Sequence, residues 1–346
     1  MSYQIPSPAP SLEELARRQQ NVITASQLRA RGVPARLVSD HCRRGGPWQR
    51  LLPRVYLLQG GAPTPEQRMW AALLYAAQNG REEGRREGAV ITGTAALALY
   101  GFAAVPRLPA VTGVQVLVPR QRRLRDAGEV RIQRTARELQ AREVHGLACA
   151  PVARAVADAL REWSGPEAPD SSWFGPRLLR AVLREAVAAP CADGRPRCTP
   201  AELIAELREA ELVEVPRIRA ALDELLAAER ESLLGQVGEL LVEQLLPVPL
   251  TAPELRMRGG TFVAVPDLYW PAVGVAVELD CGLRCVSEGE AAWVRTGQHR
   301  MEYLGVRVLH VDGARLAAEP ELVGEELRAA FLAGGADVVE LSVIER

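Results

Sequence analysis

The sequence predicts an α/β protein of several domains, and three observations carry that prediction. The chain has 346 residues, more than a single hydrophobic core usually organises. Residues 11–62 read as three short helices followed by a turn and a strand. From residue 231 the pattern becomes helix, three strands, helix, strand, helix, which is the alternation of an α/β layer. Apolar residues make up 48% of the chain, enough to fold without bridges or structural metal.

The elements follow in order from their punctuation. MSYQIPSPAP reads as a loose tail. Ser11, with Glu14 three residues on, is a capping box before Leu15. Thr24 caps a second helix, ASQLRARG, that stops at Gly32. Pro34 starts a third, PARLVSDHCRR, closed by Gly45 and Gly46. A turn and strand, WQRLLPRVYLLQGG, come next, and Pro65 opens a long helix. Beyond a charged loop at 81–88 lie the strand AVIT and the helix GTAALALYG. VTGVQVLV and EVRIQRT alternate as strands, with Val114, Val116 and Val118 on one face. APVARAVADALRE has helical spacing, and residues 162–175, rich in Pro, Ser and Gly, read as a linker. Helical pattern then runs to about Arg230, broken by the loop APCADGRPRCTP. The C-terminal part comprises a helix at 231–245, strands through Asp280, a charged helix at 287–304, the strand VRVLHVD and a helix at 318–332. The expected domains are 11–62, a mixed α/β middle at 63–161, a helical connector at 162–230, and an α/β domain at 231–346.

Composition narrows the chemistry. The formal charge of −1 excludes a wholly basic nucleic-acid binder, so any such surface is local. Every basic residue is an arginine, so no site here uses a lysine ammonium. Six cysteines, with no CxxC and no clustered histidine, point to a reduced cytoplasmic protein. No signal peptide and no membrane-spanning run is expected. The four histidines are far apart in sequence and form no HExxH pair, and no GxSxG is present. The tryptophans sit mostly alone among apolar neighbours, as packing residues do.

Two short helices joined by RGVP, then a strand turning back, fit a winged helix-turn-helix. Seven arginines lie between residues 29 and 54 against one acid, Asp40. Arg36, Ser39, Asp40 and Arg43 are the outward positions of the second helix of the pair, with Leu37 and Val38 inward. Arg44 ends that helix, and Arg50 and Arg54 flank the wing and reach phosphate. Any three-helix domain exposes arginines, so the same residues also fit a solvated face. A second basic run, RQRRLR at 120–125, fits either a nucleic-acid contact or a solvated loop.

VPDLYWPAVGVAVELD contains two apolar runs and three acids, Asp267, Glu278 and Asp280. Glu278 and Asp280 alternate in phase and leave one face of a strand. If the two runs form an antiparallel hairpin, Asp267 needs a bulge or a longer hairpin to reach Glu278. Converging carboxylates make a Mg²⁺-type site that orients a water on a phosphate. Arg284, Arg295 and Arg300 cannot replace a lysine as general base, because their pKa is too high. The bland alternative is a turn acid and an ordinary polar strand end.

Residues 20–101 resemble the N-terminal region of AbiEi-type antitoxins of actinobacterial type. The likeness runs through ITASQLRARGVPARLVSDHCRRG, WQRLLPRVYLLQGG, TPEQRMWAALLYA and AVITGTAALALYG. That resemblance implies promoter binding, repression, and a second domain that neutralises a toxin. Residues 231 to about 312 resemble a restriction-endonuclease-like, very-short-patch-repair-like domain, with Asp267 and Glu278 at its metal acids and Asp280 at its third acid. Glu231 or Glu239 matches the helical glutamate, and LGVRVLHV matches the last strand. Cys281 stands where that pattern has glycine, GLRCV replaces the stretch that carries its histidine, and Val306 stands for an aromatic. The helix EAAWVRTGQHR holds fewer arginines than the pattern.

The expectation is therefore a DNA-binding regulator or antitoxin-like repressor with a degenerate nuclease-fold domain. Its partners would be double-stranded DNA and a protein such as a toxin, and no membrane. The first alternative is a DNA endonuclease using Mg²⁺ at Asp267, Glu278 and Asp280. The second is a protein–protein interaction module that touches no nucleic acid.

Overall fold

The computed structural model describes residues 10–77, 88–164, 175–188, 197–280, 288–334 and 341–345, with the backbone alone at 288, 290 and 291. The chain divides into two compact units, Met1–Cys198 and Thr199–Arg346. The division falls inside the stretch read as a connector. Residues 81–87 of the charged loop, most of the proline-rich linker, residues 189–196 of the APCADGRPRCTP loop, residues 1–9 and Cys281 to Cys285 lie outside the described residues.

The first unit opens as its caps dictate. Ser11 Oγ accepts the Glu14 N–H at 3.2 Å and starts α1 (Leu12–Arg18). Strand β1 (Val22–Thr24), buried throughout, then intervenes where only helix and turn are expected. Thr24 and Gln27 bond reciprocally, at 3.2 and 2.9 Å, to open α2 (Ala25–Ala30). Pro34 caps α3 (Ala35–His41) instead of entering it. Strands β2 (Gln49–Leu52) and β3 (Val55–Leu57) pair antiparallel, and β3 also pairs with β1, so the sheet order is β1-β3-β2. Ala16, Ile23, Leu28 and Val38 form the core beneath them, with Trp48 and Tyr56 packed against it.

Helix α4 (Pro65–Ala77) follows, capped by reciprocal Thr64–Gln67 bonds. The rest of the unit is β4 (Val90–Thr92), α5 (Gly93–Leu99), β5 (Val114–Pro119), β6 (Val130–Thr135), β7 (Arg142–Val144), β8 (Leu147–Cys149), α6 (Val152–Ser164) and α7 (Pro176–Ala188). The five strands run in the order β6-β5-β4-β8-β7, parallel at β5–β6 and β4–β8 and antiparallel elsewhere. Strand β5 is buried on both faces from Val114 to Val118, so alternation understates its burial. The wholly buried Asp158 on α6 is compensated by Thr92 Oγ1 at 2.7 Å and Arg154 Nε at 2.9 Å.

The second unit begins with α8 (Pro200–Glu209) and α9 (Pro216–Glu243). Helix α9 runs unbroken through Arg230, where two separate helices are expected, because no proline interrupts it after Pro216. The strands are β9 (Leu250–Thr251), β10 (Glu254–Met257), β11 (Phe262–Ala264), β12 (Leu268–Trp270) and β13 (Val275–Asp280). Then come α10 (Glu288–Tyr303), β14 (Arg307–Asp312), α11 (Gly313–Ala318), α12 (Pro320–Leu332) and β15 (Leu341–Ile344). The main sheet has the order β14-β13-β12-β9, with only β13–β14 parallel; a smaller sheet runs β11-β10-β15. One face of the main sheet packs Val275, Val277 and Leu279 against Leu233, Val237 and Leu241 of α9. The opposite face packs Tyr269 and Ala276 against Met301 of α10 and Leu304 just beyond it. Among the described residues no helix is long and apolar enough to cross a membrane. The protein is thus a mixed α/β chain of helices and several sheets, as the periodicities require.

The β2–β3 hairpin turns through Pro53 and Arg54, and Arg54 sits at φ 62°, a region that L side chains occupy at a cost. Arg54→Gly is expected to stabilise the protein by about 1 kcal/mol, less the entropy glycine adds to the unfolded chain. The rise should be read in a urea titration, and a fall in midpoint would contradict this account of the turn.

Candidate nucleic-acid interface

Helix α3 offers one face to the core and one to solvent. Val38 is buried, while Arg36, Ser39 and Arg43 are exposed, as expected. Leu37 is not inward: it is 41% exposed, because the seven-residue helix has only a narrow strip against the core. After α3 the chain is folded back tightly. The Gly46 N–H bonds to the Arg43 carbonyl at 2.8 Å, and the Trp48 N–H bonds to that of His41 at 3.1 Å. A Cβ on Gly46 would stand 2.1 Å from the His41 carbonyl oxygen, so only glycine allows this return. The His41 and Trp48 rings meet edge to face at 4.5 Å and brace it.

This return opens a cleft of about 930 Å³ between α2, α3 and the hairpin. Its walls include Arg29, Ser39, Arg43, Arg44 and Arg50, with Trp48 and Tyr56 supplying an apolar side. Arg43 Nη2 lies 2.8 Å from Asp40 Oδ1, an exposed pair one helical turn apart. Cys42 also borders the cleft; burial raises its thiol pKa, and the positive charge of Arg50 partly opposes that shift. Of the six basic-face residues expected, Ser39, Arg43, Arg44 and Arg50 converge on the cleft. Arg36 and Arg54 are exposed outside it, on α3 and at the hairpin turn. Arg29, from the same basic set, also lines the walls, with Trp48 and Tyr56, which spacing alone does not place there. Arg31, counted with the basic set, is committed elsewhere: it donates to the carbonyls of Pro10 and Gln27, each at 3.1 Å. The 120–125 loop is anchored by its backbone, with the Arg125 carbonyl accepting from Tyr75 Oη at 2.8 Å, and Arg120, Arg123 and Arg125 are exposed.

In the second unit the acids are placed by the β12–β13 hairpin. Its register pairs Trp270 with Val275 and Leu268 with Val277, so the next positions along are Asp267 and Glu278. The two acids therefore stand equally far from the turn, just beyond the last paired residues, with Asp267 in a bend outside the strand. Their side chains nevertheless serve different surroundings. Asp267 is 1% exposed, with Oδ1 accepting from Arg230 Nε at 2.6 Å and Oδ2 from the Leu279 N–H at 2.7 Å. Glu278 is also buried, and borders a recess walled by β11 and α10 that Asp267 and Asp280 do not line. Asp280 is exposed at the end of β13, in register with Asp312. Glu231 and Glu239 are exposed on α9. In this arrangement the acids do not fit a divalent cation: both Asp267 oxygens are engaged, one by a guanidinium. Among the described residues no three His, Cys, Asp or Glu side chains group as metal ligands. His310, distant in sequence, is the partner of Glu278 in the parallel β13–β14 register, and its Nε2 lies 2.8 Å from Gln298 Nε2.

No family model matches the chain, and no curated protein matches its sequence.

Removing Arg230 would strand the Asp267 carboxylate in the core. Arg230 is 40% exposed, which lowers the cost from that of a fully buried pair to about 2–3 kcal/mol. Arg230→Ala should lose that much in urea unfolding, and Arg230→Lys should recover part of it. An Arg230→Ala variant as stable as wild type would remove the pair from the account of this unit.

Proposed function

We propose that this protein binds double-stranded DNA through its first unit, as a transcription regulator or antitoxin-like repressor. The observation that carries this reading is the arginine-walled cleft between α3 and the hairpin, on a chain whose net charge is only −1. The element order α1-β1-α2-α3-β2-β3, with sheet order β1-β3-β2, supports reading residues 11–62 as a winged helix-turn-helix. In that reading α3 enters the major groove. Arg36, Ser39 and Arg43 approach base edges, while Arg44, Arg50 and Arg54 hold phosphates on either side. The likeness of residues 20–101 to AbiEi-type antitoxins supports the regulatory form and a toxin-like protein partner.

Three arginines on phosphate would give a slope of log K against log salt of about −2.7. Arg36→Ala/Arg43→Ala should weaken duplex binding by about 10–100-fold and relax its sequence preference, with little change in that slope. Full affinity in the double variant would sink the reading. Bound duplex should also slow alkylation of Cys42, read by peptide mass spectrometry, since the thiol borders the cleft. Equal rates with and without DNA would place the duplex elsewhere.

A second reading, a Mg²⁺-dependent DNA endonuclease, draws on the hairpin that puts Asp267 and Glu278 equally far from its turn. It also draws on the order of α9, β12, β13, α10 and β14, which agrees with a restriction-endonuclease-like domain. It requires Arg230 to leave Asp267, and it lacks a lysine beside the water. We favour a nuclease-type sheet without cleavage. The wild-type protein should leave paired, mismatched and branched DNA intact with Mg²⁺ or Mn²⁺. Cleavage abolished by Glu278→Ala would establish the endonuclease instead.

A further inference from the structure

The recess that Glu278 borders has a composition suited to one kind of ligand. It measures about 220 Å³, below the 300–1,000 Å³ or so typical of drug-sized ligands and suited to a single small ring system. Two aromatic rings border it, Phe262 on β11 and Trp293 on α10, stacked with centroids 5.7 Å apart and planes 23° apart. Trp293 is 57% exposed, an uncommon position for a side chain that gains so much from burial. Gly297 lets α10 approach β11 closely: a Cβ there would stand 3.3 Å from that of Ala264. Glu278, 5% exposed, brings a carboxylate to the same space. Arg300 lies at the rim, exposed, within a turn of Thr296 and Gly297 on α10.

A planar ring is what stacked aromatics accept, and paired N–H donors are what a carboxylate accepts. Among the nucleobases, guanine alone carries two adjacent donors, N1–H and the N2 amino group, on its Watson–Crick edge. Adenine and cytosine set an acceptor beside their amino group, which a carboxylate repels. Thymine and uracil flank a single N–H with two carbonyls. A carboxylate has about four acceptor positions, so two donors from a base are compatible with other bonds that Glu278 makes. The exposed guanidinium of Arg300 is placed for the phosphate of the same nucleotide.

We propose that this recess is a binding site for an unpaired guanine base, stacked at the Trp293–Phe262 pair and read by Glu278. The site lies wholly within the second unit and does not depend on DNA binding by α3. The guanine belongs either to a free nucleotide or to a single strand, and the chemistry of recognition is common to both.

The test uses the full chain in EDTA, with calorimetric titration of GMP, IMP and AMP. IMP lacks the N2 amino group and should bind roughly tenfold or more weaker than GMP, with AMP weaker still. Glu278→Gln should abolish that preference, because its amide N–H₂ opposes the guanine donors. Trp293→Ala, a change at an exposed side chain, should weaken GMP by about tenfold or more while leaving the fold intact. Arg36→Ala/Arg43→Ala should change none of these affinities, which separates this site from the duplex-binding face. A thymidine nonamer with one central guanine, compared with GMP and with the all-thymidine strand, identifies the source. Tighter binding than GMP, lost without the guanine, means a single strand, and affinity no better than GMP means a free nucleotide. Equal affinity for GMP and AMP, no binding of any of the three at millimolar concentration, or a GMP preference that survives Glu278→Gln would overturn the proposal.

Discussion

Burying the Asp267 carboxylate at the start of β12 obliges the second unit to bring positive charge to it, and α9 supplies Arg230. An ionised carboxylate removed from water is tolerated only with a partner and with its lone pairs occupied. Here the partner is a guanidinium at 2.6 Å, and the Leu279 N–H occupies the other oxygen. Leu233, Val237 and Leu241 of α9, beyond Arg230 along the helix, pack against the same sheet. The ion pair and the apolar stripe therefore fix both the tilt and the register of one continuous helix. A break in α9 near Arg230, as the periodicity alone suggests, would separate the charge from the packing that delivers it.

The first unit solves a different problem, which is to crowd cations without unfolding. Arg43, Arg44 and Arg50 share the cleft wall, and Asp40 pairs with Arg43. The Gly46 return, the His41–Trp48 contact and the left-handed turn at Arg54 shape the backbone that carries them. Strain of that kind persists where the surroundings over-determine it, and it keeps a ligand face organised before the ligand arrives. In the proposed reading the counter-charge is the phosphate backbone.

Much of this architecture was legible from local rules. The caps at Ser11 and Thr24, the helix α4 behind Pro65, and the strand pair around Trp270-Pro271 all follow from short-range chemistry. Short strands such as β1 and β8, of three residues each, were not legible, because three residues carry no period and their partners lie far along the chain. The same limit applied to the sites. Helical spacing gives the exposure of Arg36 and Ser39 on α3, but Asp40 is half-buried, Arg43 lies beyond the helix end and Leu37 is exposed, since a short helix buries less than its apolar residues imply. Trp48 and Tyr56 join the cleft wall only through the folded loop. His310 was set aside for its distance in sequence, and the parallel β13–β14 pairing brings it into register with Glu278.

The absence of lysine bears on both units, in opposite ways. A guanidinium is planar, permanently charged and weakly hydrated, so it suits phosphate forks and buried carboxylates alike. The first unit uses it in the former role in the proposed reading, and the second uses it in the latter at Asp267. A metal-dependent nuclease needs the converse: carboxylates left uncompensated for the cation, and a cation near the water whose proton can leave. Arg230 cancels one carboxylate, and Asp280 is an acid two residues from Glu278 where a base-activating ammonium would help. Glu278 is then the acid of this hairpin best placed for recognition, because it alone of the three borders a recess with aromatic walls. A carboxylate so placed selects among planar donors, which asks for burial and shape instead of a metal. The arrangement of charge at this hairpin thus suits recognition of a planar donor better than coordination of a cation.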